Sequence, residues 1–138
     1  MKILDKNKNL LAEVIRSEDI IHEKNFYTEE KEEFQFASFN LKENTVIKRH
    51  IHNKQERVIK STSEVIVVIE GTIEVEIYDL DENLEHKCIL NKGDTVALFS
   101  GGHGLKAIGN SKFIEVKQGP YNPETDKSIL HIDEKKNL

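Results

Sequence analysis

Along Thr72-Ile73-Glu74-Val75-Glu76-Ile77-Tyr78 apolar and polar side chains alternate, and the same period of two recurs in Phe34-Gln35-Phe36 and Phe113-Ile114-Glu115-Val116. Successive side chains of an extended chain point to opposite faces, so this period makes strands with one face on a core and the other in water. The pattern predicts strands near 10-15, 33-41, 44-52, 63-70, 72-79, 85-90, 94-99, 103-108 and 112-117. Many short strands with no long helical pattern between them imply an all-β sandwich or barrel built from consecutive antiparallel hairpins.

The breaks between strands have turn chemistry. Glu70-Gly71 separates two strong strands, Asp81-Glu82-Asn83 joins the next pair, and Asn91-Lys92-Gly93-Asp94 precedes another. One helical turn is expected over 28-33, capped by Thr28 and acidic at its N-terminal end, while 16-23 is ambiguous. Phe34, Phe36, Phe39 and Phe99 are expected in the core rather than on a substrate-stacking shelf.

A chain of 138 residues suits one domain, 1-138, with a polar tail at 133-138 that is expected to fray. The net charge of -5 is spread over both signs, and the only basic cluster, Lys48-Arg49-His50, is too short for a nucleic-acid footprint. Cys88 is the single cysteine, which rules out an intrachain disulfide and a cysteine-based zinc site. No apolar run approaches a membrane span and the first residues lack a signal-peptide core, so a cytoplasmic location is expected, with neither membrane nor nucleic acid as partner.

Within the 44-52 strand His50 and His52 are alternate residues, so both imidazoles point to one side, where they can ligate the same ion. Val46 and Lys48 share that side; Ile47 and Ile51 face outward with Val65, Val67 and Ile69 of the neighbouring strand, an apolar surface that predicts a homodimer. Glu64 opens the next strand seven residues before Gly71, and His103 follows the glycine pair Gly101-Gly102.

The order His-x-His, Glu-x6-Gly, then a second motif from Gly93-Asp94 to His103 resembles the cupin superfamily over about 44-117. That resemblance implies a single antiparallel jelly-roll β-barrel with a divalent transition metal (Zn, Fe, Ni, Mn or Cu) inside on His50, His52, Glu64 and His103. Eleven residues separate His52 from Glu64, where cupins usually have three or four. Glu56 satisfies the shorter spacing and stays an alternative ligand. Segments such as Glu115-Val116-Lys117-Gln118-Gly119-Pro120-Tyr121 also look like a subgroup of one-domain cupins frequent in surface-sugar biosynthesis.

Three imidazoles and a carboxylate leave one or two coordination positions for water or substrate. The expected function is a metal-dependent enzyme acting on a small polar or sugar-derived molecule. Two alternatives stand: a non-catalytic ligand-binding or regulatory cupin, and a metal-free sugar-nucleotide epimerase-like cupin. The long connection 53-62 would lie at the barrel mouth, and Lys48 and Arg57 are the candidates for contacting an anionic ligand, with a surface ion pair to Glu56 as the plainer role of Arg57. His22, His86 and His131 lack partners at ligand spacing and are read as solvated or locally bonded.

Overall fold

The computed structural model describes residues 1-131. Its strands are β1 (Lys2–Leu4), β2 (Leu10–Ile15), β3 (Lys24–Phe26), β4 (Ala37–Phe39), β5 (Glu64–Tyr78), β6 (Leu84–Asn91), β7 (Thr95–Leu98) and β8 (Gly102–Lys117), with one 3-10 turn at Ser17–Asp19. No α-helix occurs among the described residues, and all strand pairings are antiparallel. The larger sheet runs β1-β2-β7-β5-β6 with β8 beside β5, and these pairings do not close into a ring; β3 and β4 form a separate hairpin.

The expected strands 63-70 and 72-79 are one continuous element, as are 103-108 and 112-117. Glu70-Gly71 is therefore a corner inside β5, not an end. Before it the fully buried positions are Ile66 and Val68, and after it Ile73, Val75 and Ile77, so the inward face changes parity. The β5-β8 register shifts twice there, and Gly71 adopts φ 78. This is the effect of a β-bulge, which inserts residues on one side and bends the ladder. Ser111 fastens the corner, accepting the Thr72 amide (3.1 Å) and donating to the Thr72 carbonyl (2.9 Å).

The bend brings the two halves of the ladder face to face. Ala12, Val14, Val96, Leu98, Ile66 and Val68 from one half pack with Ile73, Val75, Ile77, Cys88 and Leu90 from the other. Several of these are fully shielded, and burying each such side chain contributes roughly 1.5–3 kcal/mol. Around the rim, the turn 91-94 is held by Asp94, which accepts the amides of Asn91 (3.0 Å) and Ser17 (3.1 Å) and a charged bond from Arg16 (2.7 Å). Burial pulls the Asp94 carboxyl upward, but these donors together hold it below the ordinary aspartate range. The turn after β5 is closed in the same way by Asp79, which accepts the amides of Asp81 and Asn83.

Several expectations are corrected. Residues 44-52 form no strand; every residue from Phe39 to Thr62 is exposed. The reason lies in the alternation itself: one face would carry Ile47 and Ile51, but the other carries Lys48, His50 and His52, which repay ordering poorly unless their polar groups are satisfied. The stretch 28-33 makes only a turn, and the Thr28 hydroxyl accepts the Phe36 amide instead of capping a helix. None of Phe34, Phe36, Phe39 and Phe99 is buried; Phe34 and Phe99 meet edge to face, and Phe39 lies under Lys24. Val65 is buried within the subunit and so drops out of the expected dimer face. The expected frayed tail at 133-138 lies outside the described residues.

A methyl group on Gly71 would run into the Asn110 carbonyl oxygen and Ser111, whereas one on Gly109 (φ 75) meets nothing. Gly71→Ala should therefore destabilise by about 3 kcal/mol, combining left-handed strain with overpacking, and Gly109→Ala by about 1–2 kcal/mol from strain alone. Urea denaturation of both variants checks this, and equal losses would show that crowding at the corner contributes nothing.

Candidate functional site

Glu64 begins β5 on the inward face it shares with Ile66 and Val68, and its register partner on β8 is Lys117. His103 lies near the other end of β8, opposite Ile77. Along a straight ladder these residues would stand roughly 40 Å apart. Because the ladder bends, His103 Nε2 lies 3.1 Å from Glu64 Oε2. Lys117 Nζ donates to Glu64 Oε1 (3.3 Å), contacts Glu115 Oε1 (3.2 Å) and sits 5.0 Å above the Tyr121 ring. The Glu115 and Glu64 carboxylates hold the Lys117 ammonium above the ordinary lysine range. Beside this cluster the Ser63 amide donates to the Gln118 side-chain oxygen (2.6 Å), which fixes the approach to Glu64.

The two oxygens of Glu64 have different surroundings. Oε1 accepts from Lys117, while Oε2 is shielded from solvent and, among the described residues, accepts no hydrogen bond, despite its closeness to the imidazole nitrogen. A buried oxygen without a donor costs about 1–3 kcal/mol, so such an atom calls for an explanation. Two atoms that each ligate one ion at about 2.0–2.2 Å stand roughly 3–3.4 Å apart, and the Glu64–His103 separation fits that range.

Only two of the four expected ligands meet. Among the described residues no group of three or more His, Cys, Asp or Glu side chains could hold a metal ion. His50 and His52 lie on the exposed stretch with their rings 5.0 Å apart, and His50 Nδ1 donates to the Lys48 carbonyl (2.8 Å). That bond leaves Nε2 as the nitrogen with a free lone pair, the usual arrangement of a ligating histidine. Glu56, Arg57 and the Lys48 side chain are exposed on the same stretch, and among the described residues Arg57 makes no ion pair with Glu56. Lys117, Glu115 and Gln118 enter the sequence reading only within the subgroup-like segment 115-121 and not as site residues; the alternation Phe113-Ile114-Glu115-Val116-Lys117 already puts 115 and 117 on one face, but their partner is set by register.

One cleft, about 620 Å³, is lined by Phe26, Thr28 and Gln35 and lies on the hairpin side, away from this chemistry. A second, about 480 Å³, is lined by Glu33, Phe34, Ser61, Ser63 and Phe99 and borders the chain as it enters Glu64. Glu33 shapes its wall by accepting the amides of Lys60 (3.0 Å) and Ser61 (3.4 Å). No protein-family model, curated protein or solved structure matches this chain. No helix among the described residues is long and apolar enough to cross a membrane.

Glu13 has the other orphaned carboxylate oxygen, and its setting differs. It sits between Lys2 and Ala97, and burial pushes its carboxyl up against the weaker pull of Lys2 and the N-terminus. A folded-state value above the ordinary 4.5 means that the folded chain binds the proton more tightly, so stability falls as pH rises through the window above 4.5. Glu13→Gln, a mimic of the protonated form, should match the parent near pH 4 and exceed it in urea midpoint at pH 7. A variant weaker than the parent at pH 7 would contradict this account.

Proposed function

We propose that this chain is a metal-binding protein of the cupin type, a jelly-roll barrel whose ion is held by Glu64 and His103 together with His50 and His52. The observation that carries the reading is the buried, unbonded Glu64 Oε2 facing the imidazole nitrogen of His103. The donor set of three imidazoles and one carboxylate suits a divalent transition metal such as Zn, Fe, Ni, Mn or Cu. When bound, the ion would polarise a carbonyl of a small polar or sugar-derived ligand or lower the pKa of a water beside it.

The chain's own residues prepare that site. Lys117 neutralises Glu64 through Oε1 and leaves Oε2 directed at the imidazole, while the Lys48 carbonyl fixes the ring of His50. The 480 Å³ cleft beside Ser63 offers room for the ligand. The same Glu64–His103 contact also favours a second reading, a metal-free site in which the carboxylate orients His103 as a base.

Metal analysis separates the two. Chain purified without an affinity tag should contain close to one transition-metal ion, and after chelation it should rebind Zn²⁺ in a calorimetric titration. His103→Ala and Glu64→Gln should each weaken Zn²⁺ by at least the roughly 10–100-fold seen for the loss of an outer-shell partner. A parent chain that binds no metal, or a His103→Ala variant that binds as tightly, would overturn the proposal.

A further inference from the structure

We propose that the cleft of about 480 Å³ beside Ser63 is a binding site for a small organic cation, held by the carboxylates of Glu32 and Glu33 and the rings of Phe34 and Phe99. The metal-binding reading asks only for room in this cleft. The charge of the occupant is a separate matter that the lining decides, and it does not depend on an ion at Glu64.

The charged residues of the lining are Lys31, Glu32 and Glu33. Lys31 is already matched, with its ammonium 2.8 Å from Glu29 Oε2. Neither Glu32 nor Glu33 has an ion-pair partner among the described residues. Glu33 is kept ionised by hydrogen bonds: its Oε2 accepts the Lys60 amide (3.0 Å), the Ser61 amide (3.4 Å) and the Ser61 hydroxyl (3.3 Å). The Lys60 amide foremost, with a weaker pull from the Lys60 charge, holds its carboxyl below the ordinary glutamate range. Two carboxylates thus border one space with no cation against them.

The walls narrow the choice of cation. Phe34 and Phe99 are half-buried, with ring centres 6.4 Å apart and planes at 68°. An aromatic face attracts a positive charge within about 6 Å of its centre. Elsewhere the chain fills that place itself, since Lys24 Nζ stands 4.5 Å above Phe26, which lines the 620 Å³ cleft, and Lys117 Nζ stands 5.0 Å above Tyr121. No such cation stands over Phe34 or Phe99 among the described residues. A substituted ammonium has an apolar body for the rings to cover and a charge for the carboxylates to balance. A metal ion fits worse, because the lining has neither His nor Cys and only two carboxylates. An anion would meet both carboxylates.

The walls are in place before a ligand arrives. The Gln35 side-chain nitrogen donates to the carbonyls of Glu29 (2.8 Å) and Glu32 (3.2 Å), which fixes the turn carrying the two acids. Glu33 ties that turn to residues 60-61, and Gln118 holds the Ser63 amide. Such preorganisation lowers the ordering cost of binding, and the cleft's volume suits a small molecule.

Choline and its neutral carbon isostere 3,3-dimethyl-1-butanol test this, because they share a shape and differ in charge. Each is titrated into the full, chelated chain while backbone amide resonances are followed. Choline should bind in the millimolar range and move the resonances of 31-34, 61, 63 and 99, with the isostere weaker by about tenfold. Equal binding of the isostere, shifts confined to other residues, or no shift at about 100 mM choline would each overturn the proposal. Glu32→Gln removes one charge and leaves the backbone carbonyl that Gln35 uses; Phe34→Leu removes one ring. Each should weaken choline several-fold with the urea midpoint little changed, and unchanged affinity in both would overturn the assignment. Because the chain is chelated, choline binding by a chain that takes up no Zn²⁺ supports this site while the metal reading fails, and Zn²⁺ uptake without choline binding does the reverse.

Discussion

The backward bend of the β5-β8 ladder at Gly71 is the constraint on which the rest of the molecule depends. A two-strand ribbon of this length has an apolar face far larger than itself can cover, and an isolated hairpin is marginal in water. Bending lets one half of that face cover the other. The bend also costs something local: the backbone must pass through a left-handed residue and skip register twice, which glycine tolerates and the Ser111 bonds to Thr72 secure. Core and candidate site follow from the same event, since Ile66 meets the Ile73-Ile77 face by the fold-over that brings Glu64 to His103.

Electrostatics then decides what the end of the fold-over can do. Both Glu13 and Glu64 place a carboxylate oxygen out of solvent without a hydrogen-bond donor. Among the described residues Glu13 has no hydrogen-bond partner, and burial pushes its carboxyl up. Glu64 is different because Lys117 stands against one oxygen while an imidazole nitrogen stands against the other. Charge compensation on one side and an imidazole nitrogen on the other set Glu64 apart from Glu13, and that contrast, not burial alone, singles it out.

The uncovered flank of β8 gives the molecule a second, unfinished side. The buried residues of β5 and β7 are sealed by neighbours on both edges, but among the described residues β8 has a neighbouring strand on one edge only. Its apolar side chains remain in water for that reason and not because of their own chemistry: Phe113 is exposed opposite buried Val68, and Leu105 opposite buried Val75.

Local pattern was enough to read β2, β6 and β7 and the turns at 81-83 and 91-94, because alternation and the conformational preferences of Gly, Asn and Asp act within a few residues. The motif order His-x-His, Glu-x6-Gly, not the alternation, is what drew attention to Glu64 and His103. The same pattern misread 44-52, where alternation was present but the second face was too polar to bury on its own, and it missed β1 and β3, whose three residues are too short to show a period. By itself, then, the sequence determined that this is an antiparallel β protein and where most of its chain reverses. Only the tertiary structure decided that Glu70-Gly71 is a corner and not an end, that Glu64 shares its charge with Lys117, and that a histidine thirteen residues along the ladder touches it, counted from Glu64 to the register partner Ile77. Those contacts join residues far apart in the chain, and their distances are set by how a ladder bends, which depends on the summed packing of both faces and is not written in any short stretch of residues.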